Sequence, residues 1–332
     1  GHEALTANTT GFSNVTVGGR SLDANTTGAQ NTALGYQALS ANTTSSNNTA
    51  VGYQSLYANT TGTDTTAIGS GALYSASTAV SNTAVGKNAL NATTGSYNTG
   101  VGHGSLALNT TGADNTALGF YSLLVNTSGA YNTAIGREAL QANTTASGNT
   151  AVGYQAGYSN TTGEQNAHIG FTSGQLNTTG YNNSALGYNS LKSNTTGALN
   201  TAIGHSALTA NTTANNNTAV GYQAGYSNTT GAENTAVGMQ SLDANTTGNS
   251  NTGVGVNTLT SSTTGNDNTA VGRDALQNNT TASENTAVGY QALTSNTTGT
   301  PNAAFGYRSQ YVNTTGNYNS SFGAASLRQN TT

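Results

Sequence analysis

Aliphatic residues recur along this chain at a long fixed interval, outside the two-residue rhythm of a half-buried strand or the 3.6-residue rhythm of an amphipathic helix. Val17, Leu34, Val51, Ile68 and Val85 stand 17 residues apart, and after one 16-residue step the series runs from Val101 to Phe305 and Phe322. Each lies inside a near-copy of "NTAVGYQAL" that ends in "NTTG". Numbered from the Asn of that motif, repeats begin at residues 14, 31, 48, 65, 82 and 98, and then every 17 residues to 319. Self-similarity of this kind decides the fold before any motif is weighed.

Each repeat position, here called a slot and numbered from that Asn, has its own composition. Slot four is aliphatic or Phe throughout, slot five is always Gly, slot eight is Ala or Ser apart from Thr258, and slot nine is mostly Leu, as at Leu39, Leu140 and Leu293. Slots twelve to fourteen read Asn-Thr-Thr in most repeats. A 17-residue unit is too short for a helix pair or a propeller blade, and β-branched triplets separated by Gly and Asn read as short strands and corners. The prediction is an all-β chain, a β-solenoid or β-roll of about twenty 17-residue coils, each adding about 4.8 Å of rise. Strands are expected at slots two to four and seven to nine, with a third at twelve to fourteen. The recurring Gly marks a corner that needs positive φ or close backbone approach.

Stacked coils place like residues above like. Slot four then becomes an aliphatic ladder and slot nine a leucine ladder, and together they form the predicted core. Slot three, next to slot four, is expected on the opposite strand face. It is nearly always Ala, with Thr16, Gly100, His168, Gly253 and Ser321 as departures. Small residues there and at slot eight predict a second surface packed against them, hence lateral association of several chains. Slot six varies freely and is expected in solvent. Where slot nine is Gly157 or Gly225, the following Tyr158 or Tyr226 is expected to replace the missing leucine; Gly174 with Leu176 and Gln310 with Tyr311 look like looser versions.

Composition removes several function classes. Of 332 residues only 34% are hydrophobic and 5% charged, and the net charge is −4. Seven scattered Lys and Arg form no basic patch, so nucleic acid is not an expected partner. No apolar run reaches the roughly 20 residues that span a bilayer, so no membrane insertion is expected in this segment. The repeats run over 1–332 as a single continuous array, which reads as an excerpt of a longer fibre.

The "NTAVGYQAL" pattern, with small residues and Gly corners, resembles the head repeats of trimeric autotransporter adhesins. It also resembles the "NTAIGYQAL" and "NTTG" arrays of bacterial surface proteins and of phage tail fibres that often end in an endosialidase-type chaperone. The resemblance covers every repeat. It implies a parallel homotrimer of β-rolls, a location outside the cell, on a cell surface or on a virion, and an adhesive or spacer role. The 17-residue unit is longer than the usual adhesin-head repeat, and these residues include neither a chaperone nor a membrane anchor.

Candidate chemistry is sparse. His2, His103, His168 and His205 fall on different coils and read as scattered surface residues. The acidic residues lack the dense Asp-Gly pattern of calcium-binding rolls, so neither metal nor cofactor is expected. Asn-Thr-Thr is a formal glycosylation sequon, making Asn8, Asn25, Asn42, Asn59, Asn109, Asn143 and Asn160 candidate glycan-attachment sites; inward asparagine ladders explain the same residues. Slot-six Tyr36, Tyr53, Tyr154, Tyr222 and Tyr290 are candidate surface contacts for glycans, since sugar faces stack on rings. Rows of Thr at slots thirteen and fourteen raise ice binding, although those two slots are expected to point to opposite sides.

The sequence therefore predicts a non-enzymatic, self-associating extracellular filament or fibre shaft serving as spacer, matrix or adhesin stalk. The alternatives are a glycan-binding adhesin or phage fibre with recognition on the repeat face, and an ice-binding solenoid.

Overall fold

The computed structural model describes residues 1–331. The chain is a parallel β-solenoid of about 18 coils, with no helix among the described residues. It divides into two compact units, Gly1–Gln165 and Asn166–Thr332. The first carries one three-residue strand per coil from β1 (Val15–Val17) to β9 (Thr150–Val152), and the second from β10 (Ala167–Ile169) to β19 (Ser320–Phe322). Within each unit successive strands pair in parallel with like slots opposite each other: Thr32, Ala33 and Leu34 face Thr49, Ala50 and Val51, and Thr201, Ala202 and Ile203 face Thr218, Ala219 and Val220.

Only slots two to four are strand. Slots seven to nine and twelve to fourteen, expected as further strands, are turns and bends. The cause is backbone handedness, because slots seven and nine carry positive φ in coil after coil with slot eight between them outside that region. Gln37 and Leu39 lie at 54° and 55°, and Asn189 and Leu191 at 54° and 51°. A non-glycine residue in this region costs about 1–2 kcal/mol. Two gains offset that strain. Leucine at slot nine is fully buried, as at Leu39, Leu140 and Leu191, and burial of such a side chain contributes about 1.5–3 kcal/mol. The same geometry also directs backbone bonds along the coil stack: Gln54 N donates to Tyr36 O of the preceding coil at 3.0 Å, and Leu56 N to Ala72 O of the following one at 2.9 Å.

The interior is assigned differently from the sequence expectation. Slot three points inward, with Ala33, Ala50, Ala202 and Ala219 at 0% exposure, and the large aliphatics of slot four point outward, with Leu34 at 44%, Leu118 at 46% and Leu186 at 47%. A 17-residue coil encloses little volume. One leucine from slot nine, one small residue from slot eight and an alanine from slot three fill it. The small residues at slots three and eight are thus explained by the width of a single coil and are unavailable to a neighbouring chain, so the lateral contact expected through them is excluded.

Interior departures come in compensating sets. Gly253 at slot three accommodates the larger Thr258 at slot eight, since a Cβ on Gly253 would lie 2.8 Å from Thr258 Oγ1. Gln310 replaces leucine at slot nine, is fully buried, and its Nε2 donates to Ala303 O at 2.9 Å and to Ser321 Oγ at 3.0 Å. Tyr226 does not fill the place left by Gly225, for it is 38% exposed; Leu208 leans into that space instead, its Cδ2 3.0 Å from where a Gly225 Cβ would be. Tyr158 beside Gly157 is likewise only half-buried.

Slot-five glycines are corners with φ between 108° and 140° from Gly18 to Gly323. A Cβ on Gly187 would lie 2.5 Å from Gly204 O of the next coil, so the backbones approach too closely for any side chain.

Candidate functional site

Two asparagine ladders brace the coil from inside. At slot twelve the typical carboxamide Nδ2 donates to the Oδ1 of the preceding coil's asparagine and to the slot-fifteen carbonyl of its own coil. Asn42 reaches Asn25 Oδ1 at 2.9 Å and Ser45 O at 3.1 Å, and Asn211 reaches Asn194 Oδ1 at 2.8 Å and Ala214 O at 3.2 Å. At slot one, Asn31 Nδ2 donates to Ser45 O at 2.9 Å, while Asn31 Oδ1 accepts from the backbone N of Asn48 at 3.0 Å. Buried amides must find partners or cost about 1–3 kcal/mol each, and stacking like on like supplies one wherever the ladder is continuous; where Ser262 interrupts it, Asn245 Oδ1 is left without a partner. The slot-one ladder was not singled out from the sequence, although its signal is present: Thr65 is the only departure from Asn among the nineteen repeat starts.

This places the candidate glycan sites. Asn25, Asn42, Asn59, Asn109, Asn143 and Asn160 have fully buried side chains, and the Nδ2 to which a glycan would attach is engaged in the ladder, as in Asn109 to Thr93 Oγ1 at 2.8 Å and Asn160 to Asn143 Oδ1 at 2.9 Å. Asn8 is half-buried, and its Nδ2 donates to Gly11 O at 3.0 Å. The threonines beside them differ: Thr26 and Thr195 at slot thirteen donate to Thr43 O and Thr212 O at 3.0 and 3.1 Å, whereas slot fourteen, at Thr27 and Thr196, is exposed. Neither slot points inward.

Slot-six aromatics form outward ladders. Tyr36 stacks on Tyr53 with centroids 5.8 Å apart, Tyr222 on His205 at 5.4 Å, and Tyr290 on Tyr307 at 5.5 Å. The Arg137 guanidinium lies 6.0 Å from the Tyr154 ring centre. Each of the five candidate tyrosines therefore has one ring face covered by a neighbouring coil, which leaves less ring surface for a sugar than isolated rings would present.

Ionisable groups do not converge. Among the described residues no group of three or more His, Cys, Asp or Glu side chains is placed to hold a metal ion, and no helix is long and apolar enough to cross a membrane. His103 and His205 belong to the aromatic ladders. His168, expected at the surface, is instead fully buried at slot three; neither ring nitrogen has a hydrogen-bond partner, and desolvation lowers its pKa from 6.5 to about 4. A hydrogen bond from Gln155 and the neighbouring Arg137 hold the Glu138 carboxyl below its ordinary range, and burial pushes the Asp243 carboxyl up. These groups stand on separate coils, and none is aligned with a nucleophile or a second acid.

No protein-family model and no curated protein matches the chain.

Proposed function

We propose that this chain is a structural, non-enzymatic filament segment that works outside the cell as a fibre shaft, spacer or matrix element and associates with copies of itself. The observation that supports this most directly is the equivalence of the coils. The same bonds recur from coil to coil, between the same pair of slots in the backbone and between like slots in strand register and in both asparagine ladders. Such nearest-neighbour architecture is extended by adding units, and each unit contributes about the same stability. Length is then the functional variable. The resemblance to adhesin-head and tail-fibre repeats carries the placement outside the cell and leaves glycan recognition as the role of a flanking region or of the slot-six edge.

Cryo-electron microscopy of the native assembly tests the reading. Extracellular filaments with an axial repeat of about 4.8 Å per coil are the expected result, and a discrete particle retained inside the cell would overturn it. A second reading, ice binding, is favoured by one observation: threonine at slot two is outward and beside the aliphatic rank of slot four, on a regular strand ladder. Thermal hysteresis of the purified chain supports that reading, and its absence removes it.

A further inference from the structure

The outward face of the strand ladder is unpartnered, apolar and free of charge. Slot four displays Leu34, Ile68, Leu118, Leu186 and Ile203 at 38–47% exposure, beside threonine at slot two, and no charged residue occupies either slot in any repeat. An apolar stripe repeated at every coil marks an interaction surface rather than scattered surface variation.

The two edges of this face differ in charge. On the slot-two side, slot seventeen carries Asp64, Asp114, Glu233, Asp267 and Glu284 and no Lys or Arg. Glu284 shares a surface groove with Thr286 and Ala303 of slot two, so this edge belongs to the same face. On the slot-four side, slot six carries Lys87, Arg137 and Arg273 and no Asp or Glu. Arg137 and Arg273 contact the adjacent Glu138 and Asp274 at 3.1 and 3.4 Å, yet their own side chains are 60% and 64% exposed against 13% and 9% for those carboxylates. Each guanidinium therefore keeps further donors pointing outward.

We propose that two copies of this chain pair face to face through slots two and four with their coil axes parallel. The inference rests on the fibre reading above and adds the surface and the polarity. A second copy is the occupant that fits, for two reasons. Its ladder has the same period, so within each unit the aliphatic rank of slot four packs along the mostly threonine rank of slot two of the other copy at coil after coil. Its charges also complement, because rotation by 180° about the coil axis sets the acidic edge of one copy against the basic edge of the other. Lys87 then stands one coil from the level of Asp64, Arg137 one coil from Asp114, and Arg273 level with Asp267 and one coil from Glu284. The antiparallel alternative sets acid against acid. Charge patterning of this kind selects orientation more than it adds affinity. A ten-strand ladder about 48 Å tall and roughly 20 Å wide between the charged edges offers roughly 900 Å², comparable to the roughly 800 Å² that one side of a stable interface buries.

The test uses the absence of cysteine from the chain. In the full chain, this rotation brings slot four of one coil opposite slot two of the same coil in its partner, so mixing Thr66→Cys and Ile68→Cys chains is expected to give a disulfide-linked dimer under mild oxidation. Ile68→Asp together with Ile203→Asp is expected to weaken the dimer at least tenfold by light scattering, with an unchanged circular dichroism spectrum because slot four lies outside the coil. Filaments or dimers that persist in the double variant, or a mixture of Thr66→Cys and Ile68→Cys chains that dimerises without cross-linking, overturn the proposed face or polarity while leaving the fibre reading in place. A chain found only as monomers, in purified form and in native material alike, overturns both.

Discussion

The imidazole of His168 occupies the space that leucine fills at slot nine of other coils. Its partner across the coil is Gly174, and a Cβ on Gly174 would lie 2.6 Å from His168 Cγ. Slot three has gained a ring where alanine is usual, and slot nine of the same coil has lost its side chain. Core volume is conserved while the balance of polarity is not, because the buried ring leaves both nitrogens without partners.

That exchange makes one coil acid-sensitive. The folded-state pKa of His168 is about 4, below the ordinary value near 6.5, so the unfolded chain binds the proton first. The stability contributed by the neutral ring is complete above about pH 6.5 and is lost as pH falls from there toward 4, a change of about 3 kcal/mol. Protection factors of the amides around residues 166–182, with intrinsic exchange corrected for pH, should fall across that window. The reciprocal double variant His168→Ala with Gly174→Leu restores the common pattern and should remove that fall in protection, while His168→Ala alone leaves a cavity. Equal pH dependence in the double variant and the parent would count against the assignment.

Period, fold class and the slot-five corner were legible in the sequence, because each depends on a residue type repeated at a fixed interval. Which strand face lies inside was not. Size suggested that Leu34 or Ile203 belongs in the core and Ala33 or Ala202 outside it, whereas the coil is too narrow to admit two large side chains at one level. The backbone of slots seven to nine was hidden as well, since Leu191 at φ 51° adopts a conformation that its residue type disfavours and tertiary burial imposes. His168 was visible as an odd residue, but only the three-dimensional pairing with Gly174 reveals why the solenoid tolerates it.

The inverted faces predict unequal costs for two leucines on one coil. Leu191→Ala removes a fully buried side chain and should cost about 2–5 kcal/mol. Leu186→Thr alters a side chain that is 47% exposed and should cost less than about 1 kcal/mol in the isolated chain. Denaturant unfolding read by local hydrogen exchange separates them, and a larger loss for Leu186→Thr would return slot four to the core.

Glycines at adjacent slots, Gly187 at slot five and Gly19 at slot six, predict a second contrast. Gly187→Ala sets a Cβ 2.5 Å from Gly204 O at φ 135°, so the coils must separate there, and a loss of about 3 kcal/mol or more is expected from strain plus broken ladder bonds. Gly19→Ala meets the Tyr36 ring at 3.4 Å and His2 O at 3.8 Å, both ordinary contacts, and should stay within about 0.5 kcal/mol. Comparable melting shifts for the two variants would contradict the close-approach explanation of slot five.

The asparagine ladder predicts a pH response opposite in sign to that of His168. Asn211 is fully buried, donates to Asn194 Oδ1 at 2.8 Å and accepts from Asn228 Nδ2 at 3.0 Å. Asn211→Ala deprives Asn194 Oδ1 of that donor and should cost about 2–4 kcal/mol. Asn211→Asp preserves shape but puts an acceptor against an acceptor, and burial adds a desolvation penalty, so the introduced carboxyl should titrate above its unfolded value of about 3.9. A raised folded-state pKa means stability is greatest below the unfolded value, where the protonated oxygen can donate to Asn194, and falls as pH rises through the folded value. Unfolding of Asn211→Asp between pH 3.5 and 8 should therefore show increasing stability toward acid relative to the parent chain. A variant that is instead most stable at pH 8 would mean that the slot-twelve carboxamides are solvated rather than laddered.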